Sequence, residues 1–214
     1  MTATRQYTEQ EHDFVEGYVV EDAVLVAARG QAHEVGLRAV SAAAGAALRM
    51  IAAAADAKAV VEVGTGTGVS GVWLLRGMRA DGVLTTIDIE AEHLRTAKRV
   101  FGDAGYPASR ARVITGRALD VLPRLADRAY DLVFVDHDVN EYIAAADAAR
   151  RLLRPGGVLV LSAALAGGRV ADPTVRDPET VTLRETVKAM RDDEAWIPAL
   201  LPTGEGLLCA VKRG

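Results

Sequence analysis

Ala59-Val60-Val61-Glu62-Val63-Gly64-Thr65-Gly66-Thr67-Gly68 is the stretch from which the rest of the chain is best read. Ala59–Val63 is a short apolar run of strand character, the glycines at alternate positions make a loop, and Ser70–Met78 carries Val72, Trp73 and Leu74 as a helix. Strand, glycine loop and helix in that order open an α/β sheet, which binds ligands beyond the carboxyl ends of its strands.

The same unit recurs downstream. Val83–Ile89 is a strand followed by the helix Ala91–Gly105, and Ala111–Thr115 is a strand followed by the helix Ala118–Ala126. Tyr130–Asp136 precedes the helix Glu141–Leu153, and Arg154-Pro155-Gly156-Gly157 turns into the strand Val158–Ser162. Apolar runs alternating with amphipathic helices predict a mostly parallel, doubly wound sheet covered on both faces. The rhythm breaks after a polar stretch, Arg169–Thr182, and a helix near Leu183–Met190. The runs Ala195–Leu201 and Gly206–Lys212 are separated only by Pro202-Thr203-Gly204-Glu205, too short for a parallel crossover, so the sheet ends in an antiparallel hairpin.

Upstream, Tyr7 to about Ala55 reads as helices. Glu21–Val35 is expected to bury Val24, Val26 and Ala27, and Ser41 to cap the alanine-rich helix that ends near Ala55. Residues 1–55 are expected to form an N-terminal helical cap within the same domain as the sheet at 56–214.

Composition bounds the function. A chain of 214 residues has no room for separate cofactor and substrate domains, and 50% hydrophobic with 25% charged residues is ordinary for a globular protein. A formal charge of −4 argues against a general nucleic-acid binder. The arginines at 110, 112, 117, 124 and 128 have no interleaved aromatics and read as solvated surface. No apolar run reaches the roughly 18 residues of a membrane span, and Met1–His12 is polar rather than signal-like, so a cytoplasmic protein is expected. The single Cys209 lies in an apolar run and reads as a small buried side chain. His12, His33 and His93 fall on predicted helices away from the loops and read as surface residues.

Twenty residues beyond Gly68, at the end of the second strand, stands Asp88, at the spacing from which an acid reaches the ribose of a bound nucleoside. An adenosine-containing cofactor follows. Gly66-Thr67-Gly68-Val69-Ser70-Gly71 matches GxGxxG, which keeps a nicotinamide-dependent oxidoreductase as an alternative. Glu62 argues against it. A carboxylate there repels a pyrophosphate on the helix N-terminus but suits the cationic amino-acid part of S-adenosylmethionine.

Glu62–Gly68, Asp88-Ile89, Tyr130–Asp136 with His137 behind it, Leu153–Gly157 and Gly167-Gly168-Arg169-Val170 together resemble the cation-dependent, catechol-type (family 3) O-methyltransferases, in particular an actinobacterial subgroup of the small bacterial enzymes. The resemblance runs from about Glu21 to the end. It implies the class I methyltransferase fold, Rossmann-like with a C-terminal antiparallel hairpin. It also implies a cofactor site at Val40, Ser41, Glu62, Gly64, Thr65, Gly66, Ser70, Asp88, Ile89, Arg117, Ala118, Asp136 and Asp138. Arg117 replaces an aspartate that would accept from the adenine amine, which arginine cannot do, so backbone groups are expected to read the base there.

The chain departs from that family where the family holds a divalent cation. Asp136 supplies one ligand, but Ser162 and Ala163 stand in place of an Asp-Asn pair, and Val139 in place of a lysine base. One carboxylate and a serine make a poor magnesium site, so no metal site is expected. The expected activity is transfer of a methyl group from S-adenosylmethionine to a hydroxyl of a small molecule with weak or no metal dependence. Asp136, Asp138 and His137 are the catalytic candidates, His137 standing equally as a base or as a packed structural residue. A binder of S-adenosylmethionine that has lost transfer chemistry is the other alternative. Nucleic acid and membrane partners are not expected, and a homodimer is. Gly167–Asp177 reads as a lid over the acceptor or a plain connector.

Overall fold

The apolar runs become seven strands: β1 (Ala59–Val63), β2 (Val83–Asp88), β3 (Ala111–Thr115), β4 (Tyr130–Val135), β5 (Leu153–Leu161), β6 (Trp196–Leu201) and β7 (Leu207–Lys212). They form one sheet of order β3-β2-β1-β4-β5-β7-β6. The first five are mutually parallel, while β7 runs antiparallel to both β5 and β6. This is the doubly wound sheet with a terminal hairpin that the sequence predicts. The structure, a computed structural model, describes residues 8–214; Met1–Tyr7, the larger part of the polar start, lie outside the described residues. Among the described residues no helix is long and apolar enough to cross a membrane.

Eight helices flank the sheet among the described residues: α1 (Glu9–Glu16), α2 (Ala23–Glu34), α3 (Ala42–Ala54), α4 (Val69–Gly77), α5 (Ala91–Asp103), α6 (Ala118–Val121), α7 (Tyr142–Leu152) and α8 (Pro178–Asp192). Side chains alternate across a strand, so each buried strand feeds two cores. Val60, Leu84, Leu132, Phe134 and Val160 pack with α2 to α5, whereas Val61, Val63, Ile87, Val133 and Val135 pack with α6 to α8. The same alternation sends Glu62 to the α4 side, beneath the glycine loop. The alanine-rich α3 lies close against α4: a Cβ at Gly45 would stand 2.2 Å from Trp73 Nε1, so only glycine admits the buried indole.

Several expectations are corrected. On α2 the buried residues are Leu25, Ala28 and Ala32, one i, i+3, i+7 stripe, and Val26 faces outward at 57% exposure. Helix α8 starts at Pro178, inside what reads as a polar connector. Asp177 caps it by accepting from Thr180 N at 2.9 Å, and Pro178 occupies the first turn, where a missing N–H costs nothing. The helix expected over Ala118–Ala126 stops at Val121 because Pro123 tightens the next residues into a 3₁₀ turn, Leu122–Arg124. Strand β5 runs through Pro155-Gly156-Gly157 instead of starting after them, with a register shift against β4 between Tyr130 and Leu132. Cys209 is half-buried on β7, and burial pushes its thiol up to about 11, which leaves it unreactive at neutral pH.

Candidate active site

The glycine loop bends directly out of β1. Gly64 N donates to Ile87 O and Asp136 N donates to Val63 O, at 2.9 and 2.8 Å, so the ends of β2, β1 and β4 are tied at one level. Gly64, Gly66 and Gly68 all have positive φ, the last at the N-cap of α4. Gly66 N then donates to Asp88 Oδ2 at 2.9 Å and Glu90 N to Asp88 Oδ1 at 2.9 Å. Asp88 is thereby held at the end of β2, facing the space beside the loop.

Beneath the loop lies a closed hydroxyl–carboxylate cluster. Glu62, wholly buried, accepts from Ser70 Oγ and Thr86 Oγ1, both at 2.6 Å, and Thr86 Oγ1 lies 2.5 Å from Thr65 Oγ1. Burial pushes Glu62 up to about 7, the hydroxyl bonds opposing and nearby Asp136 and Asp88 adding to the rise. Glu62 therefore supports the loop from below and does not itself face the cavity, because its register on β1 turns it under α4. Ser70, which it holds, does face the cavity.

Three cavities meet at Asp136 beside this loop, and every other residue expected at the site lines at least one of them. The first, between the loop and the segment before α3, is lined by Val40, Gly64, Thr65, Gly66 and Ser70. The second, about 380 Å³, runs past Asp88 and Ile89 to Arg117, Ala118, His137, Asp138 and Glu141. The third, about 470 Å³, lies beyond Asp136 and is walled by Ser41, Tyr142, Ser162, Ala163 and the β6–β7 turn. Asp136 and the apolar Leu37 line all three.

Burial pushes Asp136 up to about 6; Glu205 adds to the rise, while a Ser162 hydrogen bond and the Arg38 charge oppose it. The chain turns immediately after it. Asp138 Oδ1 accepts from both the backbone N and Nδ2 of Asn140 and caps the 3₁₀ turn Val139–Glu141. His137 stacks on Tyr142 at 5.9 Å, its Nε2 lies 3.1 Å from Glu141 Oε2, and its buried Nδ1 has no partner. Burial holds the imidazole below its usual range although Glu141 pulls the other way. The lone histidine of the sequence reading thus has a carboxylate partner four residues on, visible only once the turn forms.

Two further residues depart from expectation. His93 lies on the first turn of α5 with Nδ1 3.5 Å from Asp88 Oδ1 and lines the second cavity, so it is not a remote surface residue. Ser41 does cap α3, but its hydroxyl is committed to Glu16 Oε1 at 2.9 Å. Glu16 also accepts from Ala43 N and Gly204 N, at 3.1 Å each, which ties α1, α3 and the β6–β7 turn around the third cavity. Arg38 and Glu205 pair at 3.1 Å across the same rim. On the opposite wall Ala163 and Ala166 hold φ of 50° and 48°, a left-handed conformation that alanine rarely adopts.

The raised acids predict a pH dependence of stability. Glu62 and Asp136 have folded pKa values above their unfolded ones, so the stability they confer is complete below about pH 4 and is lost as pH rises through 6 and 7. His137 works in the opposite sense, gaining as its unfolded imidazole deprotonates, but it is one group against two. The ligand-free protein is expected to melt lower at pH 8 than at pH 5.5, by on the order of 1 kcal/mol per net proton per pH unit across the window. Scanning calorimetry at the two pH values checks this; a higher melting temperature at pH 8 would contradict it.

The comparisons agree with this geometry. A family model described as O-methyltransferase matches residues 16–213. A Mycobacterium tuberculosis protein named as an O-methyltransferase is 52% identical over 197 residues, covering 92% of this chain and 88% of the relative. The crystal structure of a Corynebacterium glutamicum protein is similar with a TM-score of 0.88 and 37% identity, over 96% of this chain and 97% of that one. The O-methyltransferase TomG of Streptomyces achromogenes, solved in complex with S-adenosylmethionine, gives a TM-score of 0.84 and 30% identity over 97% of this chain and 100% of its own. A glycine loop, an acid held at the end of β2 and a sheet ending in an antiparallel hairpin are thus accounted for along nearly the whole length: the chain belongs to the O-methyltransferase family.

Proposed function

We propose that this protein transfers the methyl group of S-adenosylmethionine to a hydroxyl of a small molecule without a catalytic divalent cation, with Asp136 as the proton acceptor. The observation that carries this is the position of Asp136, which lines the two cavities suited to the cofactor and the third, separate cavity as well. The first cavity takes the amino-acid end of the cofactor against Ser70 and the loop, and the second takes the nucleoside, with Asp88 accepting from the ribose hydroxyls. The sulfonium then lies near Asp136, and the third cavity presents the acceptor oxygen from the other side. A volume of about 470 Å³ suits a small ring compound.

In the transfer the acceptor oxygen attacks the methyl carbon in line with the breaking carbon–sulfur bond, and sulfur leaves as the neutral thioether of S-adenosylhomocysteine. The hydroxyl proton passes to Asp136, which shares the wall of the acceptor cavity with Ser162. Holding the two reactants in line supplies much of the rate. Asp138, committed to Asn140, keeps the turn that aims Asp136 rather than acting on substrate.

A magnesium ion does not fit these residues. The positions that would complete its shell offer the single hydroxyl of Ser162 and the methyl group of Ala163. Among the described residues no group of three His, Cys, Asp or Glu side chains gathers as a metal site. A hard octahedral ion asks for more oxygen ligands than one carboxylate and one hydroxyl. A screen of hydroxylated aromatics with a radiolabelled methyl donor is expected to find turnover that EDTA leaves unchanged within about twofold. Abolition by EDTA with rescue by magnesium would overturn the metal-free reading, and binding of S-adenosylmethionine with no transfer to any acceptor would favour the alternative of a binder alone. The nicotinamide alternative has no support from the family. A cytoplasmic homodimer is the expected setting, and sedimentation at micromolar concentration tests the assembly.

A further inference from the structure

We propose that Glu141, held between Arg117 and His137, reads the exocyclic amine of the cofactor's adenine. This assignment rests on the S-adenosylmethionine reading of the site. With the ribose at Asp88, the base extends along the second cavity toward Gly116, Arg117 and Ala118 after β3, opposite the turn that follows β4. An adenine there brings one amino donor, and an enclosed donor without an acceptor is costly.

Five carboxylates line this cavity, of which Glu90 and Asp138 are exposed to solvent and Asp136 stands at the methyl end. Asp88 is bonded by Gly66 N and Glu90 N and faces the ribose, and Asp138 is taken up by Asn140. Glu141 is different. Its carboxylate, 21% exposed, receives Arg117 Nη2 on Oε1 at 3.0 Å and stands 3.1 Å from His137 Nε2 through Oε2, and all three residues line the cavity. Each carboxylate oxygen accepts two hydrogen bonds, so both retain a lone pair for a further donor. Arg117 cannot accept from the amine, but it aims a side chain that can.

Strands β3 and β4 are separated in the sheet by β2 and β1, so the Arg117–Glu141 bridge crosses the far end of the cavity from one side to the other. It would clasp the edge of the base while the methyl group sits at the opposite end. A base carrying a carbonyl oxygen in place of the amine would set that oxygen against the carboxylate and be rejected.

Calorimetric titration with S-adenosylhomocysteine and with its hypoxanthine counterpart, S-inosylhomocysteine, tests the assignment on the wild-type protein and on Glu141→Ala, Glu141→Gln and Arg117→Ala. The wild type is expected to prefer the adenine compound by about 10- to 100-fold. Glu141→Ala should bring the two ligands within about threefold of each other, chiefly by weakening the adenine compound. Glu141→Gln, able to donate as well as accept, should narrow the gap by strengthening the hypoxanthine compound. Arg117→Ala should weaken the adenine compound and reduce the preference, since it frees the carboxylate to swing away. Thermal melting of each variant separates a binding effect from a folding one. Wild-type binding of both compounds with equal affinity, or full discrimination by Glu141→Ala, would overturn the assignment while leaving the cofactor reading intact. No binding of S-adenosylhomocysteine by the wild type would overturn the cofactor reading, and this assignment with it.

Discussion

Asp136→Asn is expected to lower methyl transfer by about 10²- to 10⁴-fold while changing S-adenosylhomocysteine affinity by less than about fivefold. The asymmetry follows from where the carboxylate stands. The loop and ribose contacts that would hold the cofactor come from Ser70, Gly66 and Asp88, whereas Asp136 is the polar side chain that lines both of those cavities and the acceptor cavity as well. Asparagine keeps the size of the side chain but cannot take a proton. The pH profile supplies a second readout. With its carboxyl pushed up to about 6, Asp136 is the base only above that pH, so transfer should rise through an acidic limb near 6 and flatten toward pH 8. The positive sulfonium next to it favours the ionised form, so the limb measured at saturating cofactor should sit lower than the limb at limiting cofactor. In Asp136→Asn the limb should vanish along with the rate. A variant that retains more than about a tenth of the wild-type rate, with the same acidic limb, would move the base elsewhere, and His137 would be the next candidate.

How much of this was readable beforehand depends on whether a feature is local. Ala59–Val63, the loop glycines and Asp88 could be placed because a strand, its loop and the acid ending the next strand are all written in short sequence patterns. The hairpin was equally legible, since four residues between two apolar runs allow only an antiparallel return. Features that depend on which strand ends become neighbours were not. Nothing near Arg117 announces Glu141, 24 positions away, because their contact is made by loops after strands that are three places apart in the sheet. His93 reads as surface for a similar reason. Its helical spacing says which face it occupies but not that this first turn of α5 lies against Asp88.

The role of Glu62 shows a subtler limit. Its charge and its place before the glycines suggested direct contact with the cofactor's ammonium group. Strand alternation puts it on the Val60 side, under α4, where Ser70 and Thr86 take its oxygens. The residue type is informative and the direction is not, because a carboxylate just before the loop can take either face of the sheet, and the pairing of β1 with β2 and β4 decides which. The stripe on α2 failed in the same way: Val26 is apolar but sits one position off the buried line of Leu25, Ala28 and Ala32.

Gly64→Ala should be the most damaging single methyl group that can be added to the loop. Gly64 sits at φ 88°, and a Cβ there would lie 1.9 Å from the carbonyl oxygen of Asp136 and 2.7 Å from its carbonyl carbon. Neither side can yield cheaply. Gly64 N is bonded to Ile87 O, and Asp136 N to Val63 O, so moving either peptide unzips the end of the parallel ladder. The left-handed conformation alone costs a non-glycine residue about 1–2 kcal/mol, and the clash brings the expected loss to roughly 3–5 kcal/mol, a large share of an ordinary domain's stability. For a chain of this length that is a fall in melting temperature of about 6–20 °C. Gly66→Ala is the control that separates the two causes. Its φ is 50° but its Cβ would meet only Leu37 Cδ1, at 3.5 Å, so strain without a clash should cost about 1 kcal/mol. The same clash ties stability to function, because the peptide that Gly64→Ala displaces is the one that carries the Asp136 carboxylate. A soluble fraction of that variant should therefore lose transfer more than it loses stability. Equal melting of Gly64→Ala and Gly66→Ala would show that the close approach of β1 to β4 is not what holds Asp136 between the cofactor and acceptor cavities.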